Sequence, residues 1–315
     1  MAVPANTFQS YQAIGNAEDV SDRIYNITPF DTPLMTLAGK GKAEATYTEW
    51  QTESLPTVNS SNAVIEGDDA ANTAVTPTAR VGNWLQISER TLGITKVQEA
   101  THSYGRPSEL ARQRVNFMRA LKRDMETIMT SNQVRVVGAA ATAQKLRPLC
   151  GWYASNDSRG ASGADGTASA AATDGTQRNF SETLLKTAMA TAYGNGGQPS
   201  ILMTGPINRV NASSQLSGGA TKFYQTADKT LVATILVYQS DFGPLKMVPN
   251  RFQRERDAHL LDPDFIEVKY LEQPQIHDLA VTGLAKRQQI WATYTLAVLN
   301  EAAHAVVADL NTAII

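Results

Sequence analysis

Two adjoining segments of opposite charge set the strongest limit on how this chain can fold. Residues 43–95 hold seven acids (Glu44, Glu49, Glu53, Glu66, Asp68, Asp69, Glu89) against two bases (Arg80, Arg90), and no lysine. Residues 106–147 reverse the sign, with nine bases (Arg106, Arg112, Arg114, Arg119, Lys122, Arg123, Arg135, Lys145, Arg147) against three acids (Glu109, Asp124, Glu126). The first segment reads as an elongated β-type arm and the second opens as a helix. A chain that keeps both side by side is expected to mate with copies of itself.

The arm consists of two β-prone runs, 45–52 with Tyr47 and Trp50, and 81–95 with Trp84, Leu85, Ile87 and Ile94. Between them lie 27 residues, 53–79, rich in Ser, Thr, Asn and Ala. So long a connection signals either a functional protrusion or a misassigned pair of strands. Two strands joined this way are not stable alone in water, and an uncovered edge invites aggregation. The arm is therefore expected to lie on another surface, with Trp50 and Trp84 packing against a second copy.

From Arg106 the apolar period becomes 3.6, with Leu110, Phe117, Met118, Leu121, Met125 and Ile128 on one stripe. Pro107 suits a first turn and no Gly or Pro follows before Gly138, which predicts a helix over 106–134, about 40 Å long. Upstream, Asn16 with Asp19 caps a short helix that Pro29 ends, and 31–41 reads as extended because Pro and Gly recur. Downstream, the Gly/Ala/Ser/Asp-rich stretch 159–177 reads as a mobile surface loop. Asn179 with Glu182 caps a helix that stops at Gly194–Gly197, and a short strand at 201–203 leads into a helix with Pro206 near its start. Strands are expected at 231–240, 245–248, 265–271 and 290–299, then a closing helix with Ala303, Val306, Val307 and Leu310. No βαβ rhythm is visible, so the fold class is α+β.

With 315 residues the chain can bury a sizeable core. A net charge of −2 gives no overall attraction to nucleic acid or an anionic membrane, so any basic surface is local. The single Cys150 excludes an intramolecular disulfide and reads as a buried thiol. No signal-type segment and no run of about 18 apolar residues occurs.

Catalytic motifs are lacking. His102, His259, His277 and His304 stand far apart, none at metal-ligand spacing. Gly39-Lys40-Gly41-Lys42 has the wrong spacing for a phosphate loop, and Gly160-Ala161-Ser162-Gly163 is one residue short of a nucleophile elbow. Gly67-Asp68-Asp69 reads as an acidic loop tip. The basic face of the 106–134 helix could touch phosphate weakly but carries no groove-reading motif. The residues assign no catalytic, cofactor or metal site.

Four stretches bear a family likeness: Thr28-Pro29-Phe30-Asp31-Thr32-Pro33-Leu34, Tyr47-Thr48-Glu49-Trp50-Gln51-Thr52, Tyr238-Gln239-Ser240-Asp241-Phe242-Gly243 and Leu279-Ala280-Val281-Thr282-Gly283. With the order of parts, they make the chain resemble a tailed-phage major capsid protein of the Hong Kong 97 type. The resemblance implies an N-terminal arm at 1–42, an extended loop (the E-loop) at 43–95, and a peripheral domain at 96–179 with the 106–134 helix as its spine. It further implies an axial domain at 180–255 and a return to the peripheral domain at 256–315. The function implied is a non-enzymatic shell subunit forming hexamers and pentamers around double-stranded DNA, held without sequence specificity. Decoration, scaffolding and portal proteins are the other partners implied, with no membrane; assembly is expected in the bacterial host cytoplasm and residence in the virion.

Expected subunit contacts are Glu49, Trp50, Glu53, Glu66, Asp68, Asp69 and Trp84 on the arm, meeting Arg112, Arg119, Lys122 and Arg123 on the helix of a neighbour. Some members of the family cross-link through an E-loop lysine. Residues 43–95 have none, so non-covalent contacts or accessory proteins are expected to hold the shell. Because the chain opens directly with the arm, no long N-terminal scaffolding segment is expected. An encapsulin-like nanocompartment enclosing protein cargo is the related alternative. A soluble hydrolase or nucleic-acid-modifying enzyme is the unrelated one, and it would need a concave site of convergent polar groups.

Overall fold

The computed structural model describes residue 7 and residues 26–69, 72–101, 103–216, 224–225, 231–232, 237–281 and 283–314. The helix expected around 16–25 lies outside them. In chain order the first half forms α1 (Pro33–Leu37), β1 (Gly39–Lys42), β2 (Tyr47–Thr52), β3 (Ala79–Trp84), β4 (Gln86–Thr95), α2 (Lys96–Ala100), α3 (Glu109–Met129) and β5 (Asp157–Ser158). The second half adds α4 (Glu182–Gly194), β6 (Ile201–Thr204), α5 (Pro206–Leu216), β7 (Tyr224–Gln225), β8 (Leu231–Val232) and β9 (Val237–Ser240). It closes with β10 (Gly243–Pro249), β11 (Ala258–Leu261), β12 (Ile266–Asp278), β13 (Ala285–Val298) and β14 (Ala305–Val307).

Helix α3 begins at Ser108, whose Oγ accepts from the Ala111 amide at 3.2 Å. It stops at Met129, five residues short of the expected end, without Gly or Pro. Thr130 and Ser131 turn their hydroxyls back onto the Glu126 and Ile128 carbonyls at 2.9 and 2.8 Å, an alternative to further helix. Its buried stripe, Leu110, Leu121, Met125 and Met129, packs in one cluster with Ile290, Ala292, Tyr294 and Leu296 of β13. Full burial of each such side chain contributes roughly 1.5–3 kcal/mol before the cost of ordering the chain.

That sheet has the strand order β1-β12-β13-β4. Antiparallel β12 and β13 form its long hairpin, and the register slips between Tyr270 and Gln275, where Pro274 has no N–H to give the ladder. A six-stranded sheet, β5-β14-β11-β6-β10-β9, forms the second layer. All of β6 is buried: Ile201 and Met203 face the first cluster, while Leu202 faces a second with Leu260 and Val307. The period of two thus joins both cores through one strand.

Five expectations need correction. Residues 33–37 are helical, because Pro33 sits at a first-turn position where its missing N–H costs nothing. The 159–177 stretch is fastened: Asp309 accepts the Gly160 and Gly175 amides at 3.0 and 2.8 Å, and a side chain at Gly160 would strike the Thr176 carbonyl. Its glycines serve close packing as well as turning. In place of a closing helix stand a one-turn Glu301–Ala303 element and β14, wholly buried between β5 and β11; an apolar run buried on both faces has no period to separate helix from strand. Finally, β6, α5 and the parallel partner β10 make a strand–helix–strand crossover, hidden in the sequence by the long segment after α5. Ser181, not Asn179, caps α4.

Candidate assembly surface

The arm has a fixed root and a bare tip. At the root, β4 is an integral strand of the first sheet, paired with β13 from Thr95↔Ala285 to Gln86↔Tyr294. β2 and β3 pair with each other from Tyr47↔Trp84 to Thr52↔Ala79. Gly82 lets this pair close, since a Cβ there would lie 2.8 Å from the Thr48 carbonyl. The buried Asn83 side chain ties the pair to the body: its Nδ2 donates to the carbonyls of Leu296 (2.8 Å) and Arg147 (3.0 Å), and its Oδ1 accepts the Arg147 amide at 2.8 Å.

Aromatic rings complete the root. The Trp50 ring lies 5.5 Å from that of Trp152, with Lys269 Nζ over its own face at 5.8 Å, and the Arg147 guanidinium covers Trp152 at 4.4 Å. Burial lowers the Arg147 pKa to about 10. Trp84 packs on Tyr47 at 4.6 Å. Each tryptophan therefore has a partner ring in its own chain and is half-buried, which leaves part of its surface open to a second copy.

Beyond the root, apart from the Thr78 hydroxyl on Gln51 Oε1 at 3.3 Å, the described residues of the tip bond only within their own segment. Every described residue from 53 to 78 is exposed, and the backbone bonds there stay within the segment. Leu55, Val58, Val64, Ile65 and Val75 are 78–93% exposed. A turn closed by Asp68 N–H to the Ile65 carbonyl, with Gly67 at φ +86°, holds Glu66, Asp68 and Asp69 beside Val64 and Ile65. The apex is thus both apolar and acidic.

The basic partners expected on α3 are mostly engaged at home. Arg112 pairs with Glu109 at 2.6 Å, Arg119 lies over Phe30 at 4.8 Å, and Arg123 over Phe252 at 5.3 Å. Lys122 is exposed and makes no ion pair among the described residues. Glu49 pairs with Arg80 across the hairpin, while Glu53 projects freely. Among the described residues one ion pair joins the arm to the helix within the subunit: Arg90 of β4 meets Asp124 of α3 at 2.6 Å, which raises the Arg90 pKa.

Two features had no visible sequence signal. Glu126 of α3 is buried and accepts the Leu34 amide (2.7 Å), the Met35 amide (3.0 Å) and Asn250 Nδ2 (2.7 Å), fixing α1 to the helix; burial raises its pKa. Cys150, Asp257 and His259, which the sequence keeps apart, converge with ligand atoms within 4.8 Å of one another. Two of the cavities among the described residues lie beside α3. One, of 290 Å³, is lined by Ile94, Leu110, Lys96, Lys286 and Glu99; the other, of 230 Å³, by Phe30, Arg119 and Arg123 among others. No described helix is long and apolar enough to cross a membrane.

A sheet-bound root, a bare apolar tip and a long buried-stripe helix are the geometry to set beside known proteins. Residues 3–311 match the family described as SU10 major capsid protein. The chain belongs to that family. It is 33% identical over 128 residues to the major capsid protein of Escherichia phage Phieco32, a match that covers 41% of this chain and 36% of that relative's length. Among solved structures, the capsid of cyanophage A-1(L) aligns with a TM-score of 0.67 at 11% identity, covering 96% of this chain and 98% of the other. The SrpI encapsulin of Synechococcus elongatus PCC 7942 aligns at 0.55 and 11%, covering 95% and 94%. At such identity these likenesses speak for a mixed α/β fold of the phage-capsid kind.

Proposed function

We propose that the chain is the major head subunit of a tailed phage, self-assembling as hexamers and pentamers into an icosahedral shell around double-stranded DNA. The observation that carries this reading is the tip at 53–78, with five large aliphatic side chains in water on a rigid root. An exposed apolar protrusion of this size is stable and soluble only when a partner covers it. Burial at many modest interfaces drives assembly, and the acids of the apex set register and rate.

In this reading the fold is of the Hong Kong 97 type, with the N-terminal arm at 1–42, the E-loop at 43–95 and α3 as the spine of the peripheral domain. The axial domain is built around α4, β6, α5 and β10. Because β11 and β14 share their sheet, it takes strands from both sides of residue 256. An encapsulin-like compartment has a similar fold, and the family match over 3–311 favours the phage head.

Sedimentation and negative-stain imaging of the purified protein test the proposal. Wild type should form megadalton shells, while Leu55→Asp with Ile65→Asp should leave a folded subunit that does not assemble. A wild-type monomer at assembly concentrations would overturn the reading. Protein cargo in place of nucleic acid inside shells formed in the host would favour the compartment.

A further inference from the structure

Cys150 stands on the one-turn Leu149–Gly151 helix, and Asp257 and His259 flank the first residue of β11, two apart and so on one side of the strand. All three are buried, with Cys150 Sγ 3.3 Å from Asp257 Oδ2. Tyr153 Oη meets His259 Nδ1 at 3.0 Å, leaving Nε2 fully buried without a partner. Beside them Gln253 donates to the Asp257 carbonyl at 2.8 Å while its own Oε1 is also buried and unpartnered. A buried polar atom without a hydrogen-bond partner costs about 1–3 kcal/mol, and here the Nε2 of His259 lies in a cluster with a thiol and a carboxylate.

The surrounding charge points the same way. Arg159, Arg254 and Arg256 are ion-paired with Asp157, Asp165, Asp174, Asp257 and Asp309. Arg178, beside Asp157 and Asp309, is a fourth positive group, and four positive against five negative groups leave a formal excess of one negative charge, which favours a cation.

We propose that Cys150 Sγ, Asp257 Oδ2 and His259 Nε2 bind a zinc-type divalent ion that pins β11 to the 149–151 turn. The donor set is right for such an ion: thiolate, carboxylate and imidazole bind zinc at about 2.3, 2.0–2.2 and 2.0–2.1 Å, so the 3.3 Å between sulfur and oxygen is close to a tetrahedral edge. Tyr153 supplies the outer support, accepting from Nδ1–H and so directing the Nε2 lone pair to the metal. On binding, the thiol proton leaves to solvent as the metal–sulfur bond forms, with no change of oxidation state. Full burial of the ligands means that the ion enters as the subunit folds.

The test uses the full chain. Subunits unfolded with chelator and refolded in zinc should retain about one ion each by elemental analysis, and those refolded in cobalt(II) should show a thiolate-to-cobalt absorption band. Cys150→Ser should abolish that band, and His259→Gln should weaken metal affinity at least about 10-fold. Should either variant fail to fold, the wild-type cobalt spectrum alone decides. No retained zinc and no cobalt–thiolate band in refolded wild type would overturn the proposal, as would equal zinc in wild type and Cys150→Ser.

Discussion

Glu126 accepts the amide of Leu34 at 2.7 Å across 92 residues of chain, which makes α3 the anchor of the segment leading into the arm. Burial raises the Glu126 pKa above the usual carboxylate range, against the three N–H donors that lower it. The folded chain therefore holds this proton more tightly than the unfolded one. The resulting stabilisation is complete below the unfolded pKa and is lost as pH rises through the folded one. Glu126→Gln is neutral throughout and lacks this slope. Thermal unfolding between pH 4 and 8 should show the advantage of wild type over Glu126→Gln shrinking as pH rises. A difference that stays flat would mean that Glu126 titrates alike in both states.

Asn83 serves the root as Glu126 serves α1. Its amide, fully buried, answers three backbone groups of Arg147 and Leu296. Asn83→Ala should cost about 2 kcal/mol by leaving buried groups unpaired, read as a lower denaturant midpoint of the unassembled subunit with an unchanged slope. A loss under about 0.5 kcal/mol, the range of an ordinary surface change, would show that the root is held elsewhere.

The charges of the tip and of α3 should separate into two kinds. Neutralising Glu53, Glu66, Asp68 and Asp69, all exposed, should leave subunit stability unchanged, slow assembly at low salt and flatten its dependence on ionic strength. Lys122→Glu should act in the same way. Arg119→Glu and Arg123→Glu should also destabilise the subunit, by roughly 0.5–1 kcal/mol each, because they remove cations from the rings of Phe30 and Phe252. Light-scattering kinetics across a salt series, beside melts of the same variants, would refute this division if the assembly rates of the tip variants matched wild type.

What was legible in the sequence was whatever a local period or a polar run encodes. The apolar stripe from Leu110 to Ile128 announced α3, and the 27-residue connection after Thr52, rich in Ser, Thr, Asn and Ala, pointed to a protrusion. What was not legible depended on contacts distant along the chain. Nothing near Trp50 says that Trp152 will cover it, nor does Ala305-Val306-Val307 say whether it will be turned into a helix or clasped between β5 and β11. The convergence of Cys150 on Asp257 and His259 joins residues more than a hundred positions apart, a distance over which spacing rules have no hold.

The contrast between root and tip leads to one more expectation. A protease needs several residues of extended, unbonded backbone, which is what 53–78 offers in the free subunit. The first cut should fall there and nowhere in the root, where β4 is laddered to β13 through ten residue pairs and Asn83 fastens the hairpin. The two fragments should stay together, since the sheet and the Trp50–Trp152 contact survive the cut. If a neighbour covers the same side chains in the shell, as proposed, cleavage by subtilisin should slow by at least about 10-fold, the effect of about 1.4 kcal/mol of protection. Equal cleavage rates for free subunits and shells would show that the tip finds no partner on assembly, and the charge of its apex would then need another explanation.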